Sequence, residues 1–352
     1  MQQIRKNNVL AFFYLIKQIK EYIMKSKKST IQEKLSQNSI WMIFVLMVIL
    51  VTILRPVFMS PANITGLLEG ESIKGILAVG IMWAILSRGI DLSPGAIVAL
   101  TSVITASLVQ NEGVANRLLG DFPQLPTMVV ILIVVLIGAT IGAITGVIIA
   151  YTGIPPFIAT LGTQLICRAA AKMYSNRPVS NLPDNFRILT KGKVFGFIPA
   201  IVFIFILMFA ISAFLLTQTR FGKNIYAIGG NRQAAFVAGI NVKKNLVFVY
   251  IVSAIFAAVG GILLAARTGS ADPSTSGLNY ELDAIAAATI GGTSHTGGVC
   301  RISGVLAGIL IMGVINNGLV LLSIDDNMTN IVKGLIIIVA VAFDMRKNKP
   351  AT

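Results

Sequence analysis

The chain has 352 residues, of which 55% are hydrophobic and only 12% charged, and its mean hydropathy is +0.82. A soluble domain of this length could not hide so much apolar surface beneath a charged exterior, so a water-soluble globular protein is excluded. The net charge of +15 does not point to nucleic acid either: the basic residues flank the apolar runs, as in membrane proteins, and form no patch interleaved with aromatics.

Met1 to Ser39 is a basic tail carrying Arg5, Lys6, Lys17, Lys20, Lys25, Lys27, Lys28 and Lys34. Its charges interrupt every apolar run, so it does not read as a cleavable signal peptide. Val9, Phe12, Phe13, Ile16, Ile19 and Ile23 recur at near-helical spacing, which fits either an interfacial helix on the cytoplasmic surface or a solvated tail. The transmembrane domain is expected over 40–345, followed by a short basic tail, 346–352. A helix needs about 20 apolar residues to cross the hydrocarbon, and only helices satisfy their own backbone there. The first crossing is expected from Ile40 to Phe58, ending at Pro61-Ala62-Asn63, with a second from Ser72 to Ser87. Pro94 starts a third, which runs to Val109. Thr127 to Tyr151 is the fourth, closed by Gly153-Ile154-Pro155-Pro156.

The fifth, Phe157 to Tyr174, carries Arg168 and Lys172 within it. Asn176 to Lys193 should lie outside, although Arg177, Arg187, Lys191 and Lys193 run against the charge rule there. Ile198 to Thr217 and Leu246 to Ala266 follow as the sixth and seventh helices. Between them, 218–245 holds Arg220, Lys223, Arg232, Lys243 and Lys244 with no acidic residue, which places it in the cytoplasm. Asp283 to Gly298 is too short for two spans and reads as a short or half-helix with a glycine turn, leading to Val299–Leu322. A last helix from Asn327 to Phe343 completes an all-α, polytopic protein. It has about ten membrane segments, a re-entrant hairpin counted among them, with both termini cytoplasmic.

Three stretches ask for more than packing. Arg88-Gly89-Ile90-Asp91-Leu92-Ser93-Pro94-Gly95 puts charges and a helix break between apolar segments. Such an ionised residue faces a cavity or a partner, or else Arg88 and Asp91 pair at the cytoplasmic boundary. Pro156 to Thr163 combines small residues with the hydroxyls of Thr160 and Thr163, suited to close helix packing or to a polar pathway. In the cytoplasmic stretch, Asn231 is an N-cap for a short helix through Ala238 that Gly239 stops, presenting Ala234, Ala235, Phe236 and Ala238. An alanine-rich surface helix with a phenylalanine suits docking into a groove on another protein or packing at the lipid boundary. Cys167, Cys300 and the single His295 supply neither a disulfide framework nor a metal site. His295 beside Ser294 and Thr296 lacks a third catalytic partner, so no enzyme is expected.

At these motifs the chain resembles bacterial ABC-importer permeases of the ribose/galactoside class. The resemblance rests on Thr219 to Ile240, Tyr280 to Ala287, Gly291-Gly292-Thr293-Ser294, Gly297-Gly298, the Gly89–Gly95 motif and the Phe157–Thr163 motif, in order over Ser72 to Arg346. Lys223 to Asn231 and Tyr280 to Ala287 are most similar to methyl-galactoside/galactose permeases. The resemblance implies a multi-pass protein of the bacterial cytoplasmic membrane, paired with a second permease chain. It also implies an ABC ATPase, an extracytoplasmic sugar-binding protein and a monosaccharide substrate. ATP and Mg are expected on the ATPase, because this chain has no Gly-rich Lys-Ser/Thr phosphate loop and needs no cofactor of its own. The coupling residues are then Arg220, Phe221, Gly222, Lys223, Gly229, Asn231, Ala234, Ala235 and Gly239. Pathway or gate positions are Asp91, Ser93, Thr160, Thr163, Glu281 and Asp283. A branched-chain amino-acid permease and an ion-coupled secondary transporter are the competing readings.

Overall fold

A computed structural model describes residues 40–347; the basic tail, with its amphipathic Val9–Ile23 segment, lies outside them. The described chain is helical apart from one tiny hairpin, β1 (Lys193–Val194) with β2 (Ile198–Pro199). Helix α1 spans Ile40–Leu54. A 3-10 turn at Pro56–Met59 then leads to α2, Pro61–Leu86. Pro61 therefore begins a helix as well as separating two: Ser60 accepts a hydrogen bond from the Asn63 amide, and proline costs nothing in a first turn whose N–H groups are free. As a result α2 has 26 residues, ten more than the Ser72–Ser87 run suggests, because Glu69, Glu71 and Lys74 interrupt its apolar signal.

The next helices match the sequence closely: α3 (Pro94–Val109), α4 (Thr127–Thr152), α5 (Pro156–Tyr174) and, beyond a short α6 (Asp184–Lys191), α7 (Ala200–Gln218). The expected surface helix appears as α9 (Arg232–Val237), capped by Asn231 Oδ1 on the Ala234 amide, but α8 (Arg220–Gly230) precedes it where the sequence suggested a loop. The remainder are α10 (Val242–Thr268), α11 (Tyr280–Ile290), α12 (Ile302–Leu321) and α13 (Asp326–Lys347). Among the described residues, α4, α7, α10, α12 and α13 are long and apolar enough to cross a membrane.

The centre of the fold is α2 with α10, and α10 also packs against α3 and α4. Ile76, Leu77, Trp83 and Tyr250 are fully buried there. By contrast α4, α7 and α13 bury few of their apolar side chains, and Leu132, Ile206 and Ile338 are exposed. Such surface is stable against lipid and not against water.

Loops assigned to the outside meet one another: Gln110 donates to the Ser180 carbonyl, Arg177 to that of Asn116, and Val179 pairs with Ala271 in a β-bridge. The Asn176–Lys193 stretch thus groups with the other outer loops despite its charge. Two crossings are broken. Helix α3 has 16 residues, so at about 1.5 Å per residue it covers roughly 24 Å of a hydrocarbon core about 30 Å thick. The non-helical Gly89–Ser93 segment precedes it. Helix α11 is shorter, at 11 residues, and is preceded by an irregular descent through 269–279. That descent reaches the first turn of α3: a methyl group placed on Gly277 would lie 2.8 Å from a Val98 methyl. The half-helix expected from the sequence is therefore present as α11, followed by the glycine turn at 291–298.

Candidate functional site

Irregular backbone inside a membrane has to find hydrogen-bond partners in the protein itself, and the polar residues of the bundle supply them. Asp91 is 1% exposed. Its Oδ1 accepts from the Ser93 amide (3.0 Å) and hydroxyl (2.6 Å), and its Oδ2 from the Ser253 hydroxyl on α10 (2.7 Å). A carboxylate here complements the positive end of α3 and ties it to α10. Thr160 donates to the Ile90 carbonyl (3.1 Å), securing the same break from α5. Arg88 does not pair with Asp91. It is exposed and donates to the Gly230 carbonyl at 2.8 Å, so the boundary ion pair considered from the sequence is not formed.

Arg168 performs the matching task at the second break. It donates to the carbonyls of Ser276 (2.7 Å), Pro273 (3.5 Å) and Gly95 (3.3 Å), linking the irregular 269–279 segment to the first turn of α3 from α5. Nearby, Glu281 is 4% exposed; Oε1 accepts from Gln164 (3.1 Å) and Oε2 has no protein partner. Two residues further along α11, and so on a different face of the helix, Asp283 accepts from Lys74 of α2 (2.8 Å) and from Lys333 of α13 (3.1 Å). Lys74 also contacts Glu71 (3.4 Å), which accepts from Asn316 of α12 (3.1 Å). Two cations and two anions therefore balance within the bundle and join three helices to α11.

The pathway candidates thus fall into separate centres. Asp91, Ser93 and Thr160 act together at the α3 break, whereas Thr163 bonds Thr145 of α4 (2.9 Å). Glu281 and Asp283 sit on α11 with different partners. Lys74, Lys333, Arg168, Gln164 and Ser253 complete these centres. The first three carry a readable signal, a full charge within an apolar run, but a sequence does not say which carboxylate or carbonyl each one meets.

The cytoplasmic candidates form one structure. Phe221 stacks on Trp83 (5.1 Å between centroids), and Trp83 donates to Ser212 (2.8 Å), which fixes α8 against α2 and α7. Thr219 caps α8 at the Gly222 amide, and Gly222 is buried against Leu215 and Leu216. Gly229 is buried at the other end of α8, while Arg220 and Lys223 point outward. On α9, Ala234 is exposed with Phe236 (66%) and Val237 (79%), but Ala235 is buried. It turns toward the bundle instead of joining the presented face, because successive residues step about 100° round the helix and cannot all face outward. Gly239 ends this unit with φ 81°. Beside it lies an open groove of about 710 Å³, lined by Arg232, Phe236, Ile240 and Lys243 among others.

His295 sits in the glycine turn after α11, with Nε2 2.8 Å from the Thr289 hydroxyl, and the Asp344 carboxylate accepts from the His295 amide (2.9 Å) and the Ser294 hydroxyl (3.0 Å). Burial draws the imidazole below the usual histidine range, opposed by the Asp344 carboxylate. It acts as a fastening of the turn. His295→Ala should leave the yield of folded protein within about twofold of the unmodified chain, measured by size-exclusion chromatography in detergent. Among the described residues no group of histidine, cysteine, aspartate and glutamate could hold a metal ion.

Residues 63–341 match the family described as "Branched-chain amino acid transport system / permease component". The chain is similar to the galactose/methyl galactoside import permease protein MglC of Haemophilus influenzae, at 38% identity over 89% of this chain and 95% of that protein. It is 39% identical to the protein of the same name from Escherichia coli, with the same coverage. It is also 41% identical to the ribose import permease protein RbsC of Bacillus subtilis, over 86% of this chain and 91% of the relative. No solved structure matches the chain.

Proposed function

Because this chain belongs to the branched-chain amino acid transport system / permease component family, we propose that it is the membrane-spanning subunit of a binding-protein-dependent ABC importer that carries a monosaccharide. Galactose or a methyl galactoside is the first substrate to test and ribose the second, since the similar proteins carry those names over most of their length. Those names favour a sugar over a branched-chain amino acid, and the paired permease–ATPase arrangement over an ion-coupled carrier.

One observation carries the mechanistic part of this reading. Outside the apolar bundle, α9 presents Phe236 and Val237 bare beside a groove with basic and apolar lining. That is the form of a docking element, an aromatic anchor with a polar rim. In this reading the ATPase subunit seats on α8 and α9, hydrolyses ATP bound to itself, and drives the permease, which works as a pair of chains. The extracytoplasmic binding protein delivers sugar at the opposite end. The helix breaks at 89–93, beside Asp91, and at 269–279, just before Glu281 and Asp283, supply the parts of the pathway that rearrange, because a helix break bends at less cost than a continuous helix.

Uptake of labelled galactose, and separately of ribose, into proteoliposomes tests this directly. Import that requires internal ATP, the ATPase and the binding protein is the expected result; import by the chain alone on an ion gradient would overturn it. Phe236→Asp should weaken ATPase co-purification by about tenfold or more, as loss of an interface anchor does, without lowering the yield of folded permease.

A further inference from the structure

At the end of the bundle that bears α8 and α9, three backbone segments meet closely at glycines, with the Arg88 side chain laid against Gly297. The Gly298 amide donates to the Leu86 carbonyl at the end of α2 (2.9 Å). A methyl group on Gly229 would lie 2.5 Å from the Gly298 nitrogen, and one on Gly297 would lie 2.6 Å from the Gly229 oxygen. One on Gly298 would lie 2.6 Å from the Gly230 nitrogen. Gly297 and Gly298 also hold φ of 77° and 71°, a region that favours glycine. Arg88 bonds across this junction to the Gly230 carbonyl, and the Tyr226 hydroxyl donates to the Cys300 carbonyl at 3.0 Å.

Side chains take up small displacements by changing rotamer, but backbone packed on backbone has no such freedom and moves as a unit. The turn that carries Gly297 and Gly298 is itself bonded to the last turn of α11: the Gly292 amide donates to Thr289 (2.9 Å) and the Thr293 amide to Ala288 (3.0 Å). A rigid route therefore runs from α8 through the glycine turn into the half-helix that bears Glu281 and Asp283.

We infer that this glycine seam, pinned by Arg88, transmits displacement of α8 and α9 to α11, and that Arg88 is a positioning residue for coupling ATP hydrolysis to translocation. The inference rests on the reading of α8 and α9 as the ATPase docking unit.

The test uses the complete importer, with ATPase and binding protein, in proteoliposomes and reads sugar imported per ATP hydrolysed. Arg88→Gln and Gly298→Ala are the variants. Arg88 is exposed, so its replacement leaves the fold intact even if Gly298→Ala does not. The expected result is an ATPase that still co-purifies and hydrolyses ATP, with the import-to-hydrolysis ratio lowered by about fivefold or more, within the range that coupling residues command. Arg88→Lys, which keeps a donor at the same position, should restore most of the ratio. If docking is intact but the ratio for Arg88→Gln is unchanged, or import and hydrolysis fall together in proportion, the seam is not the transmitter. If the unmodified chain does not bind the ATPase at all, the docking reading fails and the inference fails with it.

Discussion

Asp283→Ala should be among the most damaging single substitutions in this protein. Asp283 is the only anion within reach of Lys333 among the described ion pairs, and it is the closer partner of Lys74. Its removal leaves two ammonium groups, each less than one-fifth exposed, with Glu71 alone to balance them. Breaking a buried pair on one side typically costs about 3–5 kcal/mol, because the remaining charge stays desolvated. We expect a loss of that size, measured as a lower midpoint of thermal unfolding in detergent. Replacing the surplus cation as well, in Asp283→Ala with Lys333→Met, should recover a large part of the loss, since Lys74 and Glu71 then balance. A double variant as unstable as the single one would show that charge is not the reason. Import should fall with the single substitution too, as α11 loses its ties to α2 and α13.

Gly142→Leu should be comparably severe, for a steric reason. Gly138, Gly142 and Gly146 line the face of α4 that meets α10. Even a methyl on Gly142 would lie 2.7 Å from the Ala254 Cβ and 2.8 Å from the Ile251 Cα. Close backbone approach through small residues is the main source of helix association in lipid, where apolar surface gains nothing by leaving other apolar surface. Overpacking of this kind costs about 1–3 kcal/mol for added methylenes in ordinary cores, and here α10 cannot retreat without disturbing α2 and α3 behind it. Leucine should therefore exceed that range and abolish recovery of monodisperse protein from membranes. Gly162→Ala on α5, where nothing lies within 4 Å of the added methyl, should behave as the unmodified chain and serves as the control.

Both predictions concern features only partly written in the linear chain. The spans themselves are legible, because a membrane imposes one rule on every crossing: long apolar runs, bounded by proline, glycine and charge. Hence α3, α4, α5, α7, α10 and α12 begin and end within a few residues of where the sequence places them. The N-cap at Asn231 and the stop at Gly239 are legible for the same reason, since capping is local chemistry. Helix α8 is less so. Its glycines at 222, 229 and 230 read as loop, and its helical state depends on Phe221 stacking on Trp83 and on packing that only glycine permits.

Length, apolarity and the alternation of basic segments determine by themselves that this is a polytopic helical membrane protein, and the order of motifs determines its kinship. Charge placement shows that Asp91, Arg168, Lys74 and Asp283 must be accounted for, but it does not pair them. The tertiary structure alone decides that Asp91 serves Ser93 and Ser253 and not Arg88, and that Arg168 joins the 269–279 segment to the first turn of α3. It also decides that Asp283 binds lysines 209 residues before it (283 − 74) and 50 residues after it (333 − 283). The physical reason is range: hydropathy and capping act within a few residues, whereas a buried charge is satisfied by whichever partner the packed helices bring within about 3 Å, however distant in sequence.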